Sequence, residues 1–223
     1  MDLAAPLQSL IPTLDGAALT VLAGTESALG QSQIHRLAPR GTRSGLALAL
    51  DRLVEHGIVV AEPTNYGYLY RLNRDHVLAP AVLAVAAARE EFLHRLADAC
   101  RGLTPAVHSA ALFGSVARRE SGVASDVDLL LVVPDVLDTG DEAWQEQVRG
   151  LEERVLAWSG NRLELITVTR DHLADLVESG EPIVRSWQDD ALTLTGTDPR
   201  DLLVGSSRRR RAKQADDSSK EAR

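Results

Sequence analysis

Two aspartates flank the first residue of an apolar run: Asp126 and Asp128 stand two apart at the head of Val127 to Val133, which Pro134 ends. In a strand, positions two apart leave the same face. Both carboxylates therefore emerge together, while Val127, Leu129 and Leu131 point the other way, into a core. Two carboxylates on one face repel each other and are costly unless something positive neutralises them. An oxygen-liganded Mg²⁺ is the natural partner, because that ion favours a few carboxylates together with waters and phosphate oxygens.

The residues upstream supply a complement. Ser109 to Phe113 reads as a strand, and Gly114-Ser115 lies between it and a helix. Glycine lets a backbone come close to a ligand, and exposed N–H groups at a helix start suit phosphate. The Ser115 hydroxyl adds a donor. A phosphate cradle next to a metal-holding pair provides the parts that phosphoryl or nucleotidyl transfer requires. A third carboxylate would complete a two-metal clamp, and Glu164 is the candidate, as the lone acid in the strand Leu163 to Val168. It would take the proton from an attacking hydroxyl or hold the second ion.

The stretch Ala111-Leu112-Phe113-Gly114-Ser115-Val116-Ala117-Arg118, followed by Ser125-Asp126-Val127-Asp128-Leu129-Leu130, resembles the signature of the DNA polymerase beta-like nucleotidyltransferases. It is most similar to their small, minimal members. That resemblance implies transfer of a nucleoside monophosphate from an NTP, with two Mg²⁺ ions, or Mn²⁺, bridging triphosphate and acceptor. It implies that Gly114 and Ser115 hold the triphosphate, that Asp126 and Asp128 hold the metals, and that Glu164 falls where the third acid, usually aspartate, sits. Arg118 matches the family's arginine after the turn, a nucleotide contact, whereas Arg119-Glu120 replaces the glycine often found next. The resemblance spans about 108–200, closing with Pro182, Trp187-Gln188-Asp189 and Gly196.

The segment before it is organised differently. Helices are expected over 17–22, over Gln31 to Leu37, and from an N-cap at Thr42 to His56, with Gly57 closing the last. Leu46, Leu50 and Leu53 form the buried stripe of that third helix. Strands are expected over 58–61 and 68–72. Three helices and a hairpin, with Arg52-Leu53-Val54-Glu55-His56-Gly57-Ile58-Val59 at the join, resemble the winged helix-turn-helix of bacterial regulators. The resemblance implies DNA contact through Arg40, Arg43 and Ser44, which open the recognition helix, and through Tyr66 and Arg71 of the hairpin. Readers of palindromic sites are often dimers, so a homodimer fits. Contact with protein is the other use of such a module.

Charge separates the regions. Up to Asp75 six arginines face seven acids; from His76 to Gly205 eleven arginines face 22 acids; residues 206–223 hold seven basic and three acidic groups. An acidic middle is a poor nonspecific nucleic-acid surface but concentrates carboxylates that suit divalent ions. No apolar run reaches the roughly 18–20 residues of a bilayer span, and the opening lacks the flanks of a secretory signal. The single cysteine, Cys100, excludes an intrachain disulfide framework and reads as a small buried thiol near Leu93 and Leu96. A cytoplasmic protein with no membrane partner is expected.

The expected chain is α/β (α+β): a winged helix-turn-helix over 1–76, a connecting helix over 77–102, a nucleotidyltransferase domain over 103–205 with a mixed sheet flanked by helices, and a disordered basic tail over 206–223. The expected activity moves NMP from an NTP, ATP first among them, to a hydroxyl of a protein or RNA acceptor, coupled to DNA binding. The alternative is a DNA-binding regulator or toxin–antitoxin component whose nucleotidyltransferase domain only senses nucleotide.

Overall fold

Helix punctuation shapes the first of two units, Met1–Glu91, into which the computed structural model divides the chain. The structure describes residues 1–205, so the expected basic tail lies outside the described residues. In chain order the unit holds α1 (Pro6–Leu10), α2 (Leu14–Ala23), β1 (Leu29–Gly30), α3 (Gln31–Leu37), α4 (Arg43–Glu55), β2 (Val59–Thr64), β3 (Gly67–Leu72) and α5 (Ala79–Ala86). Thr42 caps α4, its hydroxyl accepting the Gly45 N–H at 3.1 Å, which satisfies one of the donors a helix start leaves open. The strands form an antiparallel sheet in the order β1-β3-β2. Its inner residues Tyr70 and Leu72 pack with Leu19, Leu22, Ile34, Leu46 and Leu50 in one core. β1 escaped the sequence reading because two residues carry no alternation; pairing Leu29 with Tyr70 defines it.

The single helix expected over 77–102 is two helices, α5 and α6 (Ala88–Arg101), broken at Ala87. No glycine or proline marks the break, so the pattern reads as continuous.

The second unit, from Phe92 onward, continues with β4 (Ser109–Phe113), α7 (Gly114–Ala117), β5 (Val127–Val133), α8 (Glu142–Ser159), β6 (Leu163–Thr169), α9 (Arg170–Ser179), α10 (Pro182–Asp190) and β7 (Leu192–Gly196). The sheet runs β6-β5-β4-β7, with β6 parallel to β5 and the other pairs antiparallel, the mixed sheet anticipated. Two central strands buried on both faces explain why β5 is apolar almost throughout. On one face Phe113, Leu130, Val132 and Val168 pack against Leu173 of α9 and against Val184 and Trp187 of α10. The Phe113 and Trp187 rings meet edge to face, centroids 6.2 Å apart and planes at 82°. On the other face Val127, Leu129 and Leu131 are fully buried, and α8 packs on β6. Cys100 is buried too, and burial pushes its thiol up to about 12, against small opposing effects of Arg154 and Arg101.

β7 was not anticipated as a strand. Its last residue, Gly196, has φ +79°, and a Cβ there would lie 2.3 Å from the His108 carbonyl oxygen. Only glycine allows the sheet to close so tightly at that point.

Candidate active site

The register of the sheet assembles the acidic residues. Phe113 of β4 lies opposite Asp128 of β5, and Glu164 of β6 lies beside it on the other flank. Residues at matched positions on neighbouring strands share a face. Phe113, Asp128 and Glu164 therefore lie on the face that α9 and α10 cover further along. Asp126 differs from expectation: β5 begins at Val127, so Asp126 reaches the site from the preceding loop. The Val127 N–H donates to the Arg162 carbonyl at 2.8 Å, which fixes where that loop ends. Asp126 and Glu164 are exposed and Asp128 is half-buried.

The loop is held from within. Ser125 accepts the Gly122 N–H on its hydroxyl at 2.9 Å, and the buried Asn161 side-chain amide donates to the Ser125 carbonyl at 2.7 Å. In the sequence Asn161 carries no signal of this role. Its partner lies 36 positions upstream, and no local pattern reports such a contact.

Gly114 joins the two halves of the motif physically. Its φ is +66°, and a Cβ would stand 2.4 Å from Asp128 Oδ2 and 3.2 Å from its Cγ. Both the backbone and the carboxylate exclude a side chain there. α7 then closes with two reverse bonds: Arg119 N–H to the Val116 carbonyl at 3.3 Å, and Glu120 N–H to the Ser115 carbonyl at 2.9 Å. That closure puts its terminal residue in the left-handed region, where glycine is usual. Arg119 occupies it, with φ +61°, at a cost of about 1 kcal/mol. The departure noted in the sequence, Arg119-Glu120 where the family often has glycine, thus leaves a left-handed arginine.

Arg118 lies at the end of α7. Its Nε donates to Glu120 Oε2 at 2.8 Å, and its Nη1 pairs with Asp190 at the end of α10. Ser186 Oγ also bonds Asp190, at 3.3 Å. Asp190 carried no signal in the sequence, being one acid among many.

Electrostatics bind the residues into one site. Asp128 is held above the ordinary carboxylate range, by burial first and then by the negative charges of Asp126 and Glu164, with Arg118 pulling the other way. Among the described residues, no three His, Cys, Asp or Glu side chains close into a complete metal-ligand cluster. The aspartate pair nevertheless fits Mg²⁺, which takes one or two protein carboxylates and completes its shell with waters and phosphate oxygens. The uncompensated charge around Asp128 is what such an ion would neutralise.

The residues expected to touch nucleic acid are scattered over the first unit. Arg43 and Ser44 are exposed at the start of α4, with the Ser44 hydroxyl 3.4 Å from that of Thr42. Arg40 donates to the Pro12 carbonyl at 2.5 Å, and Arg71 pairs with Glu62 at 2.9 Å. Tyr66 is fully exposed in the turn between β2 and β3. The outward side of α4 continues from Ser44 with exposed Leu48, Asp51 and Glu55.

Residues 93–191 match the family model described as the nucleotidyltransferase domain. No curated protein matches the chain. Two solved structures are similar to it. One is a toxin–antitoxin with AMP-PNP, 17% identical, covering 57% of this chain and 93% of that one, with TM-score 0.36. The other is a mutant of the toxin–antitoxin MntA-HpeT, 15% identical over the same shares, with TM-score 0.35. Gly114, Ser115, Asp126, Asp128 and Glu164 all fall inside the stretch, residues 93–191, that matches the nucleotidyltransferase domain.

Proposed function

We propose that the second unit transfers a nucleoside monophosphate from an NTP, ATP first among them, to a hydroxyl of a protein or RNA acceptor, releasing pyrophosphate. The observation that carries this reading is the contact between Gly114 and Asp128, which brings a phosphate-binding turn against a charged carboxylate cluster. Asp126 and Asp128 would hold the divalent ion, and Glu164 would accept the proton of the attacking hydroxyl or share a second ion. Bound there, Mg²⁺ or Mn²⁺ would neutralise the triphosphate and polarise its α-phosphate. The Gly114-Ser115 turn binds the triphosphate through its N–H groups and hydroxyl. Arg118 stabilises the charge that gathers on the departing pyrophosphate. Pyrophosphate release is the test: with Mg²⁺, NTP and acceptor extract it should rise above the metal-free rate. NTP binding without release would favour a nucleotide-sensing regulator instead.

The first unit we read as a winged helix, a reading supported by the order of α2, β1, α3, α4, β2 and β3 and by the pairing of β1 with β3. DNA contact would begin at Arg43 and Ser44, with Tyr66 on the wing, and a homodimer would match a palindromic site. A specific observation favours a protein partner over DNA: α4 presents Leu48, Asp51 and Glu55 outward. Phosphates require cations, and these three supply none: Leu48 is apolar, and Asp51 and Glu55 would repel the backbone. Affinity for random duplex DNA, measured against salt, decides between them. A steep salt dependence supports the DNA reader, whereas no binding at low salt supports the protein contact. No helix of the described residues is long and apolar enough to cross a membrane.

A further inference from the structure

Arg118 keeps 42% of its side chain exposed, yet its guanidinium carries a carboxylate on two edges. The two carboxylates are unlike. Asp190 is 14% exposed, ends a helix that packs on α7, and holds a further hydrogen bond with Ser186. Glu120 is 66% exposed and follows the left-handed Arg119 on the loop that leads to Asp126. One partner is built into the wall of the site, and the other needs only a side-chain rotation to leave.

We propose that Asp190 is the fixed positioning partner of Arg118, while Glu120 is a displaceable counter-ion that the incoming triphosphate replaces. This rests on the reading of Arg118 as a triphosphate contact. A guanidinium presents its donors as a planar fork, and a phosphate offers it the same paired oxygens as a carboxylate with more charge. Exchange at the Nε edge therefore swaps one anion for another, and the Asp190 contact at Nη1 keeps the fork aimed. Without Asp190 the side chain would lose its orientation and part of its reach toward the carboxylate face. Without Glu120 the triphosphate would meet an arginine already vacated on one edge. Nucleotide affinity is thus set by competition inside the chain, at a residue on the same loop that delivers Asp126.

The test is equilibrium binding of an ATP analogue with a methylene bridge between its α- and β-phosphates. It is measured on the full chain with Mg²⁺, beside thermal unfolding of each variant. Glu120→Gln should bind about three- to tenfold more tightly, and Asp190→Asn on the order of tenfold more weakly, with Asp190→Glu recovering part of the loss. In an Arg118→Gln background the Glu120→Gln gain should vanish. If Arg118→Gln weakens binding but Glu120→Gln does not tighten it, the exchange is wrong while the triphosphate contact stands. If Asp190→Asn lowers the unfolding temperature and Asp190→Glu restores no affinity, Asp190 is structural and the positioning role falls. If Arg118→Gln binds like the parent, the triphosphate contact itself is wrong.

Discussion

In the first unit, arginines are bonded within their own fold: Arg52 to Asp15, Arg71 to Glu62 and Arg40 to the Pro12 carbonyl. In the second, carboxylates gather with too little positive charge, and Asp128 is pushed up by burial and then by its own neighbours. One set of charges is paired as it stands; the other carries a repulsion that a bound cation would neutralise. Charge left unbalanced at the edge of a well-packed sheet is a mark of function rather than of folding. A settled ion pair says little about function and contributes little to stability.

That contrast can be broken at Gly114 first. Gly114→Ala should cost about 2 kcal/mol of stability, from the left-handed backbone and the collision with Asp128, and cut transfer by roughly a hundredfold. Chemical denaturation and turnover would check both. A variant that turns over normally would mean the turn is not part of the site.

Arg119→Gly comes next. Removing a side chain from a left-handed position should stabilise the second unit by about 1 kcal/mol, read from the denaturation midpoint. No gain would show that the arginine sits there without strain.

Asp126→Asn sharpens the comparison most clearly. It should abolish transfer and yet raise the metal-free stability, by about 0.5 kcal/mol, since it relieves repulsion on Asp128. A loss of stability would mean that Asp126 holds the loop rather than the metal.

The counterpart in the first unit should behave in the opposite sense. Burial alone would raise the Asp15 carboxyl, but its bonds to Arg52 and Thr13 outweigh that and hold it below the ordinary range. A carboxyl depressed in the folded state adds stability that is present above its unfolded value and lost as pH falls through the folded one. Asp15→Asn should lower stability slightly at neutral pH and flatten the acid side of the profile below about pH 4. An unchanged acid limb would remove the ion pair from the account.

What the sequence makes legible follows the range of the interactions. β4, β5 and α10 begin and end where apolar runs meet Gly114, Pro134 and Pro182, because those signals are local. The strands carry the carboxylates to one edge as the alternation requires, except that Asp126 arrives from the loop. β1 and β7 were missed because each is defined by pairing with a distant strand. Asp190 and Asn161 were missed for the same reason, since their partners Arg118 and Ser125 lie far along the chain. On α4 the exposed Leu48, Asp51 and Glu55 were readable in the sequence, but their bearing on DNA contact depends on which helix face turns outward.

The central claim is that Asp126 and Asp128 support nucleotidyl transfer, and its most direct measurement is label transfer from an NTP radiolabelled at the α-phosphate. The full chain would be incubated with Mg²⁺ or Mn²⁺ and cell extract, and the products resolved as protein or RNA. The account predicts a labelled acceptor that disappears with chelator and in the Asp126→Asn/Asp128→Asn variant. Label that persists in that variant would contradict the site, and no label with NTP binding intact would contradict the activity.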